Sequence, residues 1–250
     1  GVAVGATSAW TIVVARTVPD QRYGIGLFVV ERGMEGFERG RNLKKVGLAA
    51  QDTSELFFNN VKVPKANVLG DPYKGFHALT HFLAEERLMG SVQYMTGAQL
   101  AWDLTLDWVR ERRMFGKPLG AFQNTRFKLA ELRAQIDATQ CFVDTCVMEH
   151  VNGRLDPDLA AEAKLVASEL EFRTCDDCLQ LFGGAGYMDE YRISRLWTSA
   201  RVSRIYAGTS EIMKEIISRS VGHGAATGCA CRYGASPAAS NVSRVSFAEM

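Results

Sequence analysis

The sequence predicts an α+β chain in which a partial antiparallel β domain is followed by an up-down helical bundle. Before Asn67, short β-branched or aromatic runs alternate with Gly and Pro, as strands on a half-buried pleated surface do. After it come long stretches with apolar residues at helical spacing, the mark of amphipathic helices. Gly-containing stops separate those stretches. The change of pattern divides the chain into a β part at 1–70, a helical part at 71–221 and a tail at 222–250.

Strands are expected at Thr11–Ala15, Gly24–Val30 and Glu55–Val63, while Gly1 to Trp10 carries no clear pattern. Helices are expected at about 75–114, 123–151, 157–182 and 209–220. Asn152-Gly153 and Gly183-Gly184 are natural stops for the second and third. From Gly222 onward the chain is rich in Gly, Ala and Ser and carries Cys229-Ala230-Cys231. That composition reads as a disordered segment or one foreign to the fold.

The 29 basic and 28 acidic residues leave a formal charge of +1, so no whole-chain field points to nucleic acid or an anionic membrane. No apolar run approaches the ~20 residues that span a bilayer, and no secretory signal is visible. The chain begins at Gly1-Val2-Ala3, inside a strand pattern, and reads as part of a longer protein. Six cysteines in 250 residues do not suggest a disulfide scaffold. Cys141, Cys146, Cys175 and Cys178 sit in helical patterns among apolar neighbours, where a thiol behaves as a small hydrophobe. Cys175-Asp176-Asp177-Cys178 has the spacing of a redox pair or half a zinc site. No second pair or His cluster accompanies it, so free thiols and no metal are expected.

Several longer motifs carry more information. Lys45-Val46-Gly47-Leu48 precedes Gln51-Asp52-Thr53-Ser54-Glu55-Leu56-Phe57-Phe58, then Val63-Pro64 and Leu69-Gly70. Next come Leu83-Ala84-Glu85-Glu86-Arg87-Leu88, and Arg112-Arg113-Met114-Phe115-Gly116-Lys117-Pro118-Leu119 with Gln123. Gln180-Leu181-Phe182-Gly183-Gly184-Ala185-Gly186-Tyr187 and Arg204-Ile205-Tyr206-Ala207-Gly208-Thr209-Ser210-Glu211-Ile212 complete the series. In this order the motifs resemble the central β domain and C-terminal domain of acyl-CoA dehydrogenases. Gly36-Phe37 and Met213-Lys214-Glu215 are similar to the long-chain branch.

The resemblance implies FAD-dependent conversion of acyl-CoA thioesters to trans-2-enoyl-CoA in fatty-acid β-oxidation. Electrons would pass to electron-transferring flavoprotein, and the protein would be a homodimer or homotetramer. The implied location is the mitochondrial matrix in a eukaryote and the cytoplasm in a bacterium. A non-catalytic assembly module and an acyl-CoA oxidase are the alternatives. Many members carry a catalytic Glu between the Tyr and the Gly of the last motif, where this chain has Ala207. The Glu-Arg element of the long-chain and isovaleryl branches assigns the base to Glu86 instead. With Phe82, Leu83 and Met89 at neighbouring helical spacings, a Glu there can face an apolar surface, which would raise its pKa and make it a stronger base once ionised. The bland alternative is a solvated surface carboxylate. Glu85 lies about 100° round the helix, so at most one of the two faces inward.

By the same resemblance the Ala207 backbone N–H binds the thioester carbonyl, with Arg87, Tyr206 and Gly208 forming the substrate pocket. Arg112, Phe115 and Gln123 belong to a flavin-phosphate element. Gln180, Phe182, Gly183 and Gly184 belong to an element that receives the adenosine half of a flavin from the neighbouring subunit. Thr209 and Glu211 resemble residues near the adenine and ribose. An arginine suits pyrophosphate because its planar fork donates two parallel hydrogen bonds, although Arg110, Arg113 and Lys117 crowd the same stretch. Ala-Gly-Thr also fits an ordinary helix lead-in, with Thr209 or Ser210 as the cap.

Overall fold

The computed structural model describes residues 2–4, 8–21 and 23–223. Six strands come first: β1 Val2–Val4, β2 Trp10–Arg16, β3 Ile25–Glu31, β4 Phe37–Asn42, β5 Thr53–Phe58 and β6 Val68–Leu69. They form two antiparallel sheets of order β1-β5-β4 and β2-β3-β6. β2 alternates strictly between half-buried and exposed positions, and its exposed set is Trp10, Ile12 and Val14, all apolar, with Arg16 at the end. The third expected strand stops at Phe58, because Asn60 takes a left-handed φ of 50°. β4 and β6 fall where no strand was expected; β4, Phe-Glu-Arg-Gly-Arg-Asn, lacks the β-branched run that marks a strand.

Five helices follow: α1 Gly75–Glu111, α2 Gln123–Val151, α3 Pro157–Phe182, α4 Arg192–Ala200 and α5 Ser210–His223. α1 ends three residues short of expectation. Arg112 turns extended (φ −65°, ψ 123°) and enters a small hairpin, β7 Arg113–Met114 with β8 Lys117–Pro118, whose bend uses positive φ at Phe115 and Gly116. The Asn152-Gly153 and Gly183 stops are present, with Gly153 at φ 68° and Gly183 at φ 61°. α4 was not anticipated. α5 runs three residues past its expected end, and the rest of the Gly-rich tail, residues 224–250, lies outside the described residues.

α3 starts cleanly because Asp156 caps it, accepting from the Leu159 N–H at 2.7 Å, with Pro157 in the first turn. Its inner face is a run of small side chains, Ala160, Ala161, Ala163 and Ala167, all fully buried. This lets α1 approach closely, and α1 on α3 is the most extensive helix pair. Tyr94, Met95 and Ala98 of α1, Ile136 and Val143 of α2, and Ala167 and Leu170 of α3 form one core cluster. Cys175 and Cys178 belong to a second one. Both are free, and burial pushes the Cys178 thiol up to about 11, so they pack as hydrophobes.

The β part is seated on the helices by the loop after β4. A Cβ on Gly47 would lie 2.6 Å from the Thr198 carbonyl oxygen of α4, so only glycine allows this approach. Gly47→Ala should lower stability by ~1–3 kcal/mol through forced backbone movement. Gly184→Ala, where a Cβ meets nothing within 4 Å, should stay within ~0.5 kcal/mol of the parent. Denaturant titration of both variants checks the pair, and an unaffected Gly47→Ala would mean that the loop is not seated on α4.

Candidate active site

Glu85, Glu86 and Arg87 lie on α1 in a stretch of straight-chain residues that favour helix. Helical geometry turns Arg87 inward, where it is 7% exposed, and leaves both glutamates at the surface. The apolar neighbours expected around Glu86 are present, but the face is open: Phe82 is 57% and Met89 66% exposed. The expected burial of Glu86 is therefore not met among the described residues. Glu86 stands on an exposed apolar stripe with Leu79, Phe82 and Met89, at helical spacings on either side of it.

Arg87 reaches the last motif. Its Nε donates to the Ala207 carbonyl at 3.3 Å, and burial lowers its pKa while Glu86 raises it. One residue further, Lys164 of α3 donates through Nζ to the Gly208 carbonyl at 2.7 Å. Lys164 is completely buried, and its pKa is pushed down to about 8, first by desolvation and then by Arg87. The turn thus held has left-handed backbone at both positions, φ 55° at Ala207 and 107° at Gly208. A Cβ on Gly208 would sit 2.6 Å from the Met213 methyl carbon. The Ser210 hydroxyl donates to Glu169 at 2.6 Å, and Arg204 pairs with the same carboxylate oxygen at 2.8 Å. The Ala207 N–H makes no backbone hydrogen bond among the described residues.

Thr209 is the cap of α5: its hydroxyl accepts from the Ile212 N–H at 3.4 Å. The Glu211 carboxyl is held below the usual range by its own backbone N–H and then by Thr209. These two residues therefore serve the helix entry in this structure. Tyr206 is 38% exposed and meets Tyr94 edge-on at 6.0 Å.

The expected flavin-phosphate residues gather at the other end of α1. The exposed Arg112 guanidinium lies 5.8 Å from the Trp108 ring, which stacks on Phe182 at 4.7 Å and donates its indole N–H to the Leu181 carbonyl at 3.2 Å. Phe182 is 9% exposed and belongs to the core, so its side chain is a support and not a surface contact, contrary to expectation. Phe115 is 90% exposed, Gln123 and Gln180 are exposed, and a Cβ on Gly183 or Gly184 would meet nothing within 4 Å. From Arg87 to the end of α1 at Glu111 is 111 − 87 = 24 residues, about 36 Å at ~1.5 Å per residue. The two groups are widely separated within one chain.

Lys164, Glu169 and Glu171 were not anticipated. Lys164 was detectable as a lysine among Ala160, Ala161, Ala163 and Ala167 on an apolar helix face. Glu171 lines a cavity of about 320 Å³ with Gly97, Ser203 and Tyr206. Desolvation pushes its carboxyl up to about 7, with the Ser203 hydroxyl acting in the opposite sense. A Cβ on Gly97 would lie 2.5 Å from its Oε1.

The helical part, residues 73–222, matches the family model described as the acyl-CoA dehydrogenase C-terminal domain. The chain is 45% identical over 224 residues to the mitochondrial long-chain specific acyl-CoA dehydrogenase of Sus scrofa, covering 87% of this chain and 52% of that protein. The acyl-CoA dehydrogenase of Geobacillus kaustophilus superposes with a TM-score of 0.84 at 42% identity, over 87% of this chain and 58% of that one. PigA with FAD and proline superposes with a TM-score of 0.82 at 27% identity, over 86% and 57%. The chain belongs to the acyl-CoA dehydrogenase family, and its likeness to the long-chain branch is as expected. It spans about half the length of the curated relatives it matches.

The Glu171 environment predicts a pH-dependent stability. Below pH 4.5 the carboxyl is protonated folded and unfolded; between 4.5 and about 7 only the unfolded state ionises, so stability falls as pH rises and the full cost is present above about 7. Glu171→Gln removes that cost. Its gain in thermal midpoint over the parent should grow from pH 4.5 to 7 and then level off. A gain independent of pH would contradict this environment.

Proposed function

We propose that this chain supplies the base and the carbonyl-binding turn for FAD-dependent α,β-dehydrogenation of acyl-CoA thioesters. The observation carrying the reading is the turn at Ala207-Gly208: both carbonyls are drawn inward by cations and the Ala207 N–H makes no backbone hydrogen bond among the described residues. A free donor on a fixed turn suits a thioester oxygen that gains negative charge as the α proton leaves. Arg87 links this turn to α1, and its sequence neighbour Glu86 is the proposed base. Glu86 would take the α proton on its carboxylate. The exposed stripe of Leu79, Phe82 and Met89 offers an apolar wall that, once covered by acyl chain or further protein, would exclude water.

The residues at the far end of α1 fit a flavin dinucleotide. Arg112 offers a permanent cation with paired donors, Gly183 and Gly184 leave the backbone open to close approach, and Phe115 presents an exposed aromatic face. FAD, when bound, would supply the acceptor for the β hydride. The span of about 36 Å along α1 separates these residues from the Ala207 turn by more than one dinucleotide covers. Two copies of the chain sharing each flavin resolve this, and a homodimer or homotetramer is therefore part of the proposal. Electron-transferring flavoprotein is the proposed acceptor of the electrons.

Glu86→Gln keeps size and removes the base, so anaerobic reduction of bound flavin by acyl-CoA should slow by ~10²–10⁴-fold or more. Glu85→Gln should change it little. The measurement uses the full-length flavin-loaded protein, and equal losses from the two substitutions would overturn the assignment.

A further inference from the structure

Lys164 is the least expected residue of the site. It is completely buried, on a face of α3 otherwise made of alanines, and its ammonium donates to a single main-chain carbonyl, that of Gly208, at 2.7 Å. Removing a cation from water is costly unless it is compensated. The charges around it do not cancel simply: Arg87 from α1 and Arg204 oppose it, while Glu169 of α3 and Glu211 of α5 favour it. A methionine would fill the same space beside the alanines without that cost. The amine is thus placed where only its hydrogen bond to the turn distinguishes it from an apolar side chain.

Arg87 holds the Ala207 carbonyl and Lys164 the Gly208 carbonyl. Each peptide unit is planar, so the Ala207 carbonyl turns with the Gly208 N–H and the Gly208 carbonyl with the Thr209 N–H, and the two bonds hold both units flanking Gly208. Neither carbonyl can then swing outward and replace an N–H at the surface of the turn. Left-handed backbone at a non-glycine such as Ala207 costs free energy and persists only where its surroundings enforce it. We propose that Lys164 is a positioning residue for the dehydrogenation: by holding the Gly208 carbonyl it keeps the 207–208 turn in the conformation that presents the Ala207 N–H to the thioester oxygen. The inference rests on the functional reading above and extends it to a residue on a different helix.

The test uses full-length flavin-loaded protein with Lys164→Met and Lys164→Gln. The probe is a trans-2-enoyl-CoA labelled with ¹³C at the carbonyl, the product, which oxidised protein binds without turnover. In the parent its infrared carbonyl stretch should fall to lower frequency than in water. Lys164→Met should keep flavin content and shift the stretch back toward the free value. It should slow flavin reduction at saturating acyl-CoA by about tenfold to a hundredfold, less than deleting a carbonyl donor outright, with KM changing far less. Lys164→Gln, which retains an N–H donor, should recover part of both. If the methionine variant does not fold, Lys164→Leu takes its place with the same expected shift, and a stretch equal to the parent's there overturns the inference. A parent-like stretch and rate in Lys164→Met also overturn it, while leaving the functional reading intact if Glu86→Gln still blocks reduction. A parent protein that does not lower the carbonyl frequency removes the functional reading and this inference with it.

Discussion

Two buried cations hold one turn. Arg87 comes from the middle of the longest helix and Lys164 from the helix packed most extensively against it, and they take the adjacent carbonyls of Ala207 and Gly208. The close α1–α3 approach, made possible by the alanine face of α3, brings both side chains to the same place. The turn in turn begins α5, through the Thr209 cap and the Ser210–Glu169–Arg204 cluster. A change in α1–α3 packing would therefore be felt at the turn before it reached any surface residue.

Under the proposed function, this arrangement would let the turn keep its conformation through a change of side chain at its centre. The contacts that fix it are to main-chain oxygens, so they do not depend on whether residue 207 is alanine or glutamate. A second carboxylate beside Glu86 would meet like-charge repulsion that drives one pKa upward. Alanine at 207 with glutamate at 86 would avoid that conflict.

Much of this was legible in the sequence. Helical periodicity and glycine stops located α2 and α3 to the residue, because Asn152-Gly153 and Gly183-Gly184 terminate helices by local backbone preference alone. β4 and α4 were not legible, since their residues carry weak local preferences and are held by tertiary neighbours. The turn motif was readable as a string, and so was the pairing of Glu86 with Arg87. The partners from α3 were not, because Lys164 and Glu169 lie about forty residues away in sequence and meet the turn only through helix packing. Phe182 belongs to a cofactor-like motif, and its ring stacks on Trp108, a contact the motif as a string does not reveal.

Under the proposed function, Glu86 and a carboxylate at position 207 would approach the substrate's α carbon from the same side. Flavin reduction in a Glu86→Ala protein that also carries Ala207→Glu tests it most directly, because flavin content and substrate binding can be verified independently in the same sample. The account predicts that the second substitution restores a measurable part of the rate lost in Glu86→Ala, with a shifted pH dependence. No recovery in a double variant that still holds flavin and acyl-CoA would contradict it.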